Sequence, residues 1–252
     1  MYQKKIDDLE ELKKSILAKA FAGELTETFV EKVSSSTFNE TKVEPLQKLE
    51  GISPTDLQAG ITAITIVKHT EKGYLETLGH VKTEKIIHLS EYILGLDFER
   101  NPVKDAAGPN DFPHAKKVES RAAKARFYTV SRKETGREAG YSYLAGTSMN
   151  SLVSKTKNCL GEKNSILNEL INLIAPMSTQ QAEIVATVYA AWNNLTIEGK
   201  SCTDEDIVFE ARENWRKEKL NIPREKFFSA INWMKTNQIL IPKGNGKLVK
   251  SK

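Results

Sequence analysis

The apolar positions of the chain fall into helical periods separated by polar runs. Over residues 4–22, Ile6, Leu9, Leu12, Ile16 and Ala20 recur at three- and four-residue steps, with Asp7, Asp8, Glu10, Lys13 and Lys14 on the other faces. The stripe is narrow, as in a coiled-coil seam, and Gly23 supplies the stop. Such a helix is marginal alone in water, so residues 1–25 read as an assembly helix in need of a partner. The period is then lost through "VSSSTFNETKVEP", and residues 26–54 read as a linker ending near Ser53-Pro54.

Helical spacing returns from Thr55, through Leu57, Ile61, Ile64 and Val67, although the β-branched run "ITAITIV" makes a strand the competitor there. A second helix is predicted over 80–94, burying Ile86, Ile87, Leu89, Ile93 and Leu94 before Gly95. Gly108, Pro109, Asn110 and Pro113 predict a turn, and residues 114–126 a helix. On a wheel, Ala115, Val118, Ala122 and Ala125 share one quadrant, opposite Lys116, Lys117, Arg121 and Lys124. "RFYTVSR" and "AGYSYLAG" then flank a turn at 133–140, which is a hairpin pattern. Helix, turn, basic helix, hairpin is the order of a winged helix-turn-helix.

That order recurs in the second half. After a long helix over 147–175, Ser178 and Gln181 form a capping-box pattern, Thr203 to Asp206 gives a second start, and Pro223 opens a third helix. "ILIPKGNGKLVK" reads as a short closing wing. The predicted fold is mainly α with short β-hairpins: the N-terminal coiled-coil-like helix, a winged-helix-like unit over 55–146, a connecting helix over 147–175 and a second such unit over 176–252.

Charge sharpens this picture. The net charge of the 252 residues is only +4, but ten basic residues face four acidic ones over 100–137, and eleven face three over 211–252. The segments between them are acidic. Two basic blocks on predicted winged helices point to a polyanion, and double-stranded DNA is the expected partner. In the first unit the geometry predicts Lys116, Lys117, Arg121, Lys124, Arg126 and Arg132 as phosphate-facing residues. In the second, Arg224, Lys226, Lys235, Lys243 and Lys247 take that part, and Asn232 could address a base edge. Trp233 is a candidate for packing under the wing or anchoring a protein.

Catalytic chemistry is not announced by the residues. "GKS" at 199–201 lacks the first glycine and the preceding strand of a phosphate loop, and "NPVK" at 101–104 does not match a methyltransferase adenine motif. His69, His80, His88 and His114 lack ligand spacing, and His88 reads as a surface or half-buried ring. Asp105 and Asp111 beside Lys104 are the nearest approach to a nuclease metal site, but the turn explains them structurally. Cys159 and Cys202 read as buried or half-buried thiols. No catalytic residue, cofactor or metal is expected. No apolar stretch approaches a membrane span and the first residues are charged, so the expected location is the cytoplasm.

The stretch "KKIDDLEELKKSILAKAFAGELTE" resembles the distal helix of the specificity subunit of type I restriction–modification enzymes, including Phe21, Gly23, Glu24 and Leu25. The resemblance implies that this helix, through Ile6, Leu9, Leu12, Ile16, Ala20 and Phe21, pairs with its counterpart and docks the modification (methyltransferase) subunits, with restriction subunits as further partners. Only a handful of residues precede it, where the family carries target recognition domains, so the expectation is a C-terminal part of such a subunit. The remaining residues, with "GLDFERNPVKDAAGPNDFPHAKKVESRAAKA" and "TDEDIVFEARENW", resemble C-terminal extensions of some family members. The competing reading is a stand-alone winged-helix transcriptional regulator that dimerises through its first helix.

Overall fold

The computed structural model describes residues 45–132 and 140–251. The seam residues Ile6, Leu9, Leu12, Ile16, Ala20 and Phe21, together with linker positions 26–44, lie outside them. The end of the expected linker is structured: Gln47 bridges Leu96, and Lys48 pairs with Glu99.

Ser53 starts the first helix, α1 (Pro54–Glu71), by accepting the Asp56 N–H on its side-chain oxygen at 3.1 Å. The β-branched run inside α1 is helical because Leu57 through Ile66 are buried around the whole circumference, and packing on every side outweighs a small propensity cost. Helix α2 (His80–Ile93) follows, then two antiparallel strands, β1 (Val103–Asp105) and β2 (Gly108–Asn110). The predicted turn at 108–110 is therefore strand, and the reversal falls at Ala106-Ala107. Asp111 caps α3 (Phe112–Lys124), which leads into the hairpin β3 (Tyr128–Arg132) and β4 (Tyr141–Ala145).

The expected connecting helix is two helices, α4 (Met149–Leu160) and α5 (Lys163–Ile174), parted at Gly161, whose φ of 53° and ψ of −126° suit only a residue without Cβ. Both later capping boxes form: Ser178 with Gln181 opens α6 (Thr179–Ile197), and Thr203 with Asp206 opens α7 (Asp204–Val208). A π-helical turn (Phe209–Glu213) and a 3-10 turn (Lys217–Asn221) precede α8 (Arg224–Thr236).

The described residues pack as one compact unit, in which α2 from the first expected winged-helix-like unit lies against α6 from the second. α1 packs against α3 and α4, and α8 packs against α6. Two helices also meet closely where Gly60 of α1 faces Thr156 of α4, with no room for a Cβ. The expected C-terminal wing is a strap instead. Among the described residues no hairpin forms after α8; Asn193 and Asn194 of α6 bond the backbone of Gly244, Asn245 and Val249, and Lys104 N–H donates to Lys250 O at 2.8 Å. Four side-chain amide bonds to backbone fix it, whereas the sequence shows only a polar glycine-containing tail.

The middle of the unit is polar as well as apolar. From Lys82 to Tyr92 every residue of α2 is buried. Its charges survive burial because each finds partners: Lys82 donates to Ala175 O and Met177 O at 2.7 Å, past the end of α5, and Lys85 to Pro109 O at 2.7 Å. Arg100, fully buried, binds Glu84 and Glu91. His88 is not the surface or half-buried ring expected; it is fully enclosed, between Tyr92 and Tyr189. Among the described residues no helix is long and apolar enough to cross a membrane.

Candidate nucleic-acid interface

Helix α3 separates its two faces as its spacing dictates. Ala115, Val118 and Ala122 are buried, and Lys116, Lys117, Arg121 and Lys124 are exposed. The next two candidates, Arg126 after the helix and Arg132 at the end of β3, are exposed too. The first set of predicted phosphate contacts is thus open to solvent. Hairpin β3–β4 is held in place by Tyr128 and Tyr143, both buried, with ring centroids 6.0 Å apart in an edge-to-face pair.

Not all these cations are equally available. Arg121 donates to both oxygens of Asp56 in α1, at 2.9 and 3.2 Å, and Lys116 lies 4.4 Å from the Phe112 ring centroid. Among the described residues, Lys117, Lys124, Arg126 and Arg132 have no ion-pair partner. Arg126 also has a φ of 57°, in the left-handed region, directly after the last turn of α3.

The second set behaves differently. Arg224 pairs with Glu205 and Glu213, Lys226 donates to Gln180, and Lys235 bonds both oxygens of Asp204. Lys247 is turned back onto Arg100 O at 3.0 Å. Asn232 and Lys243 are exposed, Lys243 beyond α8. As predicted, Phe227, Ala230, Ile231 and Met234 form the buried face of α8. Trp233 is half-buried along a groove of 620 Å³ with Met177, Ile184 and Lys226. Internal ion pairs therefore absorb most of the charge that the sequence places on α8.

The residues weighed for a nuclease serve the fold. Asp111 accepts from Asn101 N–H at 2.7 Å and from His114 N–H at 3.2 Å as the cap of α3. Lys104 pairs with Glu210, donates to Asn214 O, and lies over the Trp215 ring. Among the described residues no group of three or more His, Cys, Asp or Glu side chains is arranged to hold a metal. Cys159 and Cys202 are free and half-buried.

Sequence reasoning passed over the aromatic part of this surface. Phe112 and Tyr141 are exposed beside the cations, with His80 between them. His80 Nε2 bonds Glu119 Oε1 at 2.6 Å, and that carboxylate raises the imidazole pKa above its usual value against the effect of burial. Phe112 stands three residues before Ala115, a core-like spacing, and just ahead of the helix expected over 114–126, so the sequence carries no signal of its exposure. No known protein family, curated protein or solved structure matches the chain.

Proposed function

We propose that this chain is a non-catalytic component of a type I restriction–modification system, the C-terminal part of a specificity subunit, acting in the cytoplasm in subunit assembly and in binding double-stranded DNA. The observation that carries the DNA part is the exposed set of Lys116, Lys117, Arg121, Lys124, Arg126 and Arg132 on α3 and β3, backed by a buried opposite face. The order α1, α2, α3, hairpin supports a winged-helix-like use of that surface. Contacts of this kind neutralise phosphates and fix orientation without reading sequence. The assembly part rests on the resemblance of residues 4–27 to the family's distal helix.

Titrating duplex DNA with the full chain at several salt concentrations tests the first part. The log–log slope is about −0.9 per phosphate contacted, so four to six contacts give roughly −4 to −5. Charge reversal at Lys117 and Lys124 should weaken binding and flatten that slope. A flat slope, or no binding at low salt, overturns DNA binding. For assembly, a stable complex with a methyltransferase subunit should be lost on Leu12→Lys and Ile16→Lys. A tight homodimer indifferent to that subunit favours the winged-helix regulator instead.

A further inference from the structure

Three rings flanked by two cations form a row across the N-terminal end of α3 and the hairpin. In the β3–β4 ladder Arg132 stands directly opposite Tyr141, so the two side chains leave the same face of the hairpin. The Tyr141 ring centroid is 5.2 Å from that of His80, and His80 is 6.1 Å from Phe112. Lys116 Nζ, one helical turn after Phe112, lies 4.4 Å from its ring centroid. The order along the surface is Arg132, Tyr141, His80, Phe112, Lys116.

The two outer rings are open to solvent, Phe112 at 46% and Tyr141 at 43%. Neither is needed by the core. The buried face of α3 is formed by Ala115, Val118 and Ala122; Tyr141 shares the hairpin face of the buried Tyr143 but stands at its open end, where the core has stopped. Exposed rings grouped among cations make a surface that a flat, anionic ligand can cover. Glu119 is bonded to His80, and among the described residues neither Lys116 nor Arg132 has an ion-pair partner. A duplex satisfies the cations alone, since its base faces are hidden in the stack. An unpaired strand satisfies both, with bases on the rings and phosphates on the charges.

We propose that the row from Arg132 to Lys116 is a stacking platform for the unpaired bases of a single-stranded nucleic acid, with Phe112 and Tyr141 as the stacking rings. This deepens the nucleic-acid reading above and rests on it. His80, tied to Glu119, keeps the two rings at a fixed separation. Lys116 and Arg132 hold the flanking phosphates.

The test compares a short oligo-dT strand with a duplex of the same length, each titrated with the full chain, for the wild type and for Phe112→Ser, Tyr141→Ser and their combination. Each single change should weaken strand binding about tenfold, as loss of one stacked base does, and leave duplex binding within about twofold. Tyr141→Phe should bind the strand as the wild type does, because the ring and not the hydroxyl is used. Thermal melts verify that the variants are folded. Should a serine variant fail to fold, ultraviolet cross-linking of wild type to bromouridine-substituted strand decides, with adducts expected at Phe112 or Tyr141. Equal losses for strand and duplex, no loss for either, or adducts elsewhere overturn the platform. Duplex binding with a steep salt slope but a strand affinity indifferent to both rings sinks the platform alone. If the wild type binds neither nucleic acid at low salt, the DNA-binding reading fails with it, and an acidic protein surface becomes the occupant to seek.

Discussion

Arg100 and Glu84 form an ion pair inside the protein, with Nη2 donating to Oε2 at 3.0 Å and the arginine side chain wholly shielded from solvent. Glu91 completes the arrangement: its Oε2 accepts from Arg100 Nη1 at 3.2 Å, and its Oε1 accepts the Phe98 N–H at 3.1 Å. One cation between two carboxylates of α2 is stable only while all three are present. Arg100→Met should destabilise the fold by about 3–5 kcal/mol, since two carboxylates are left buried without a counter-ion. Denaturant unfolding measures this. Adding Glu84→Gln and Glu91→Gln to the same chain should recover part of the loss, and no recovery would show that packing of the arginine stem, not charge, carries the effect.

Arg126 occupies a left-handed backbone position just after α3, where glycine is ordinarily preferred. A side chain there costs about 1 kcal/mol relative to glycine. Arg126→Gly should therefore raise stability by up to that amount while weakening duplex binding, so the two measurements move in opposite directions. A variant that is more stable and binds DNA unchanged removes Arg126 from the interface.

Asp56 holds Arg121 at the edge of the basic face by two bonds. Exposed pairs of this kind contribute only about 0.2–1 kcal/mol, so Asp56→Asn should leave the melting temperature nearly unchanged. The freed guanidinium should strengthen duplex binding and steepen the salt slope by about one phosphate contact. Reversing Arg224 or Lys235 should affect DNA binding much less than reversing Lys117, because those α8 cations are already paired.

Acid should weaken the fold before the carboxylates titrate. Burial lowers the pKa of His69 to about 4, lowers that of His114, and drives that of His88 well below the ordinary 6.5, with Arg100 and Lys85 adding to the effect on His88. The unfolded chain then binds more protons than the folded one as pH falls from about 6.5 to 4, and stability drops across that window. His80 acts in the opposite sense: its raised pKa adds stability that is present at low pH and lost as pH rises through the folded value. Glu91, whose carboxyl is raised chiefly by burial, offsets part of the loss at the acid end. Melting temperature followed from pH 7 to 4 should fall, and His69→Gln should make that fall shallower. An acid limb of unchanged steepness would exclude His69 as a source.

The sequence alone determined the elements whose cause is local. The capping boxes at Ser178 and Thr203, the apolar faces of α3 and α8, and the 128–145 hairpin are set by side chains within a few residues of one another, so spacing reveals them. The exposure of the α3 cations follows from the same periodicity. Tertiary structure decided everything that depends on distant partners. It buried α2 despite its lysines and glutamates, because Arg100, the chain after α5 and Pro109 O supply what those charges need. It turned "GNGKLVK" from an expected wing into a strap, since Asn193 and Asn194 lie some fifty residues away. It also separated the two basic helices: a basic charge count means little until the fold brings Asp204, Glu205 and Glu213 to one of them and leaves Phe112 and Tyr141 beside the other. Periodicity fixes which face of a helix is polar; only the folded chain fixes what that face meets.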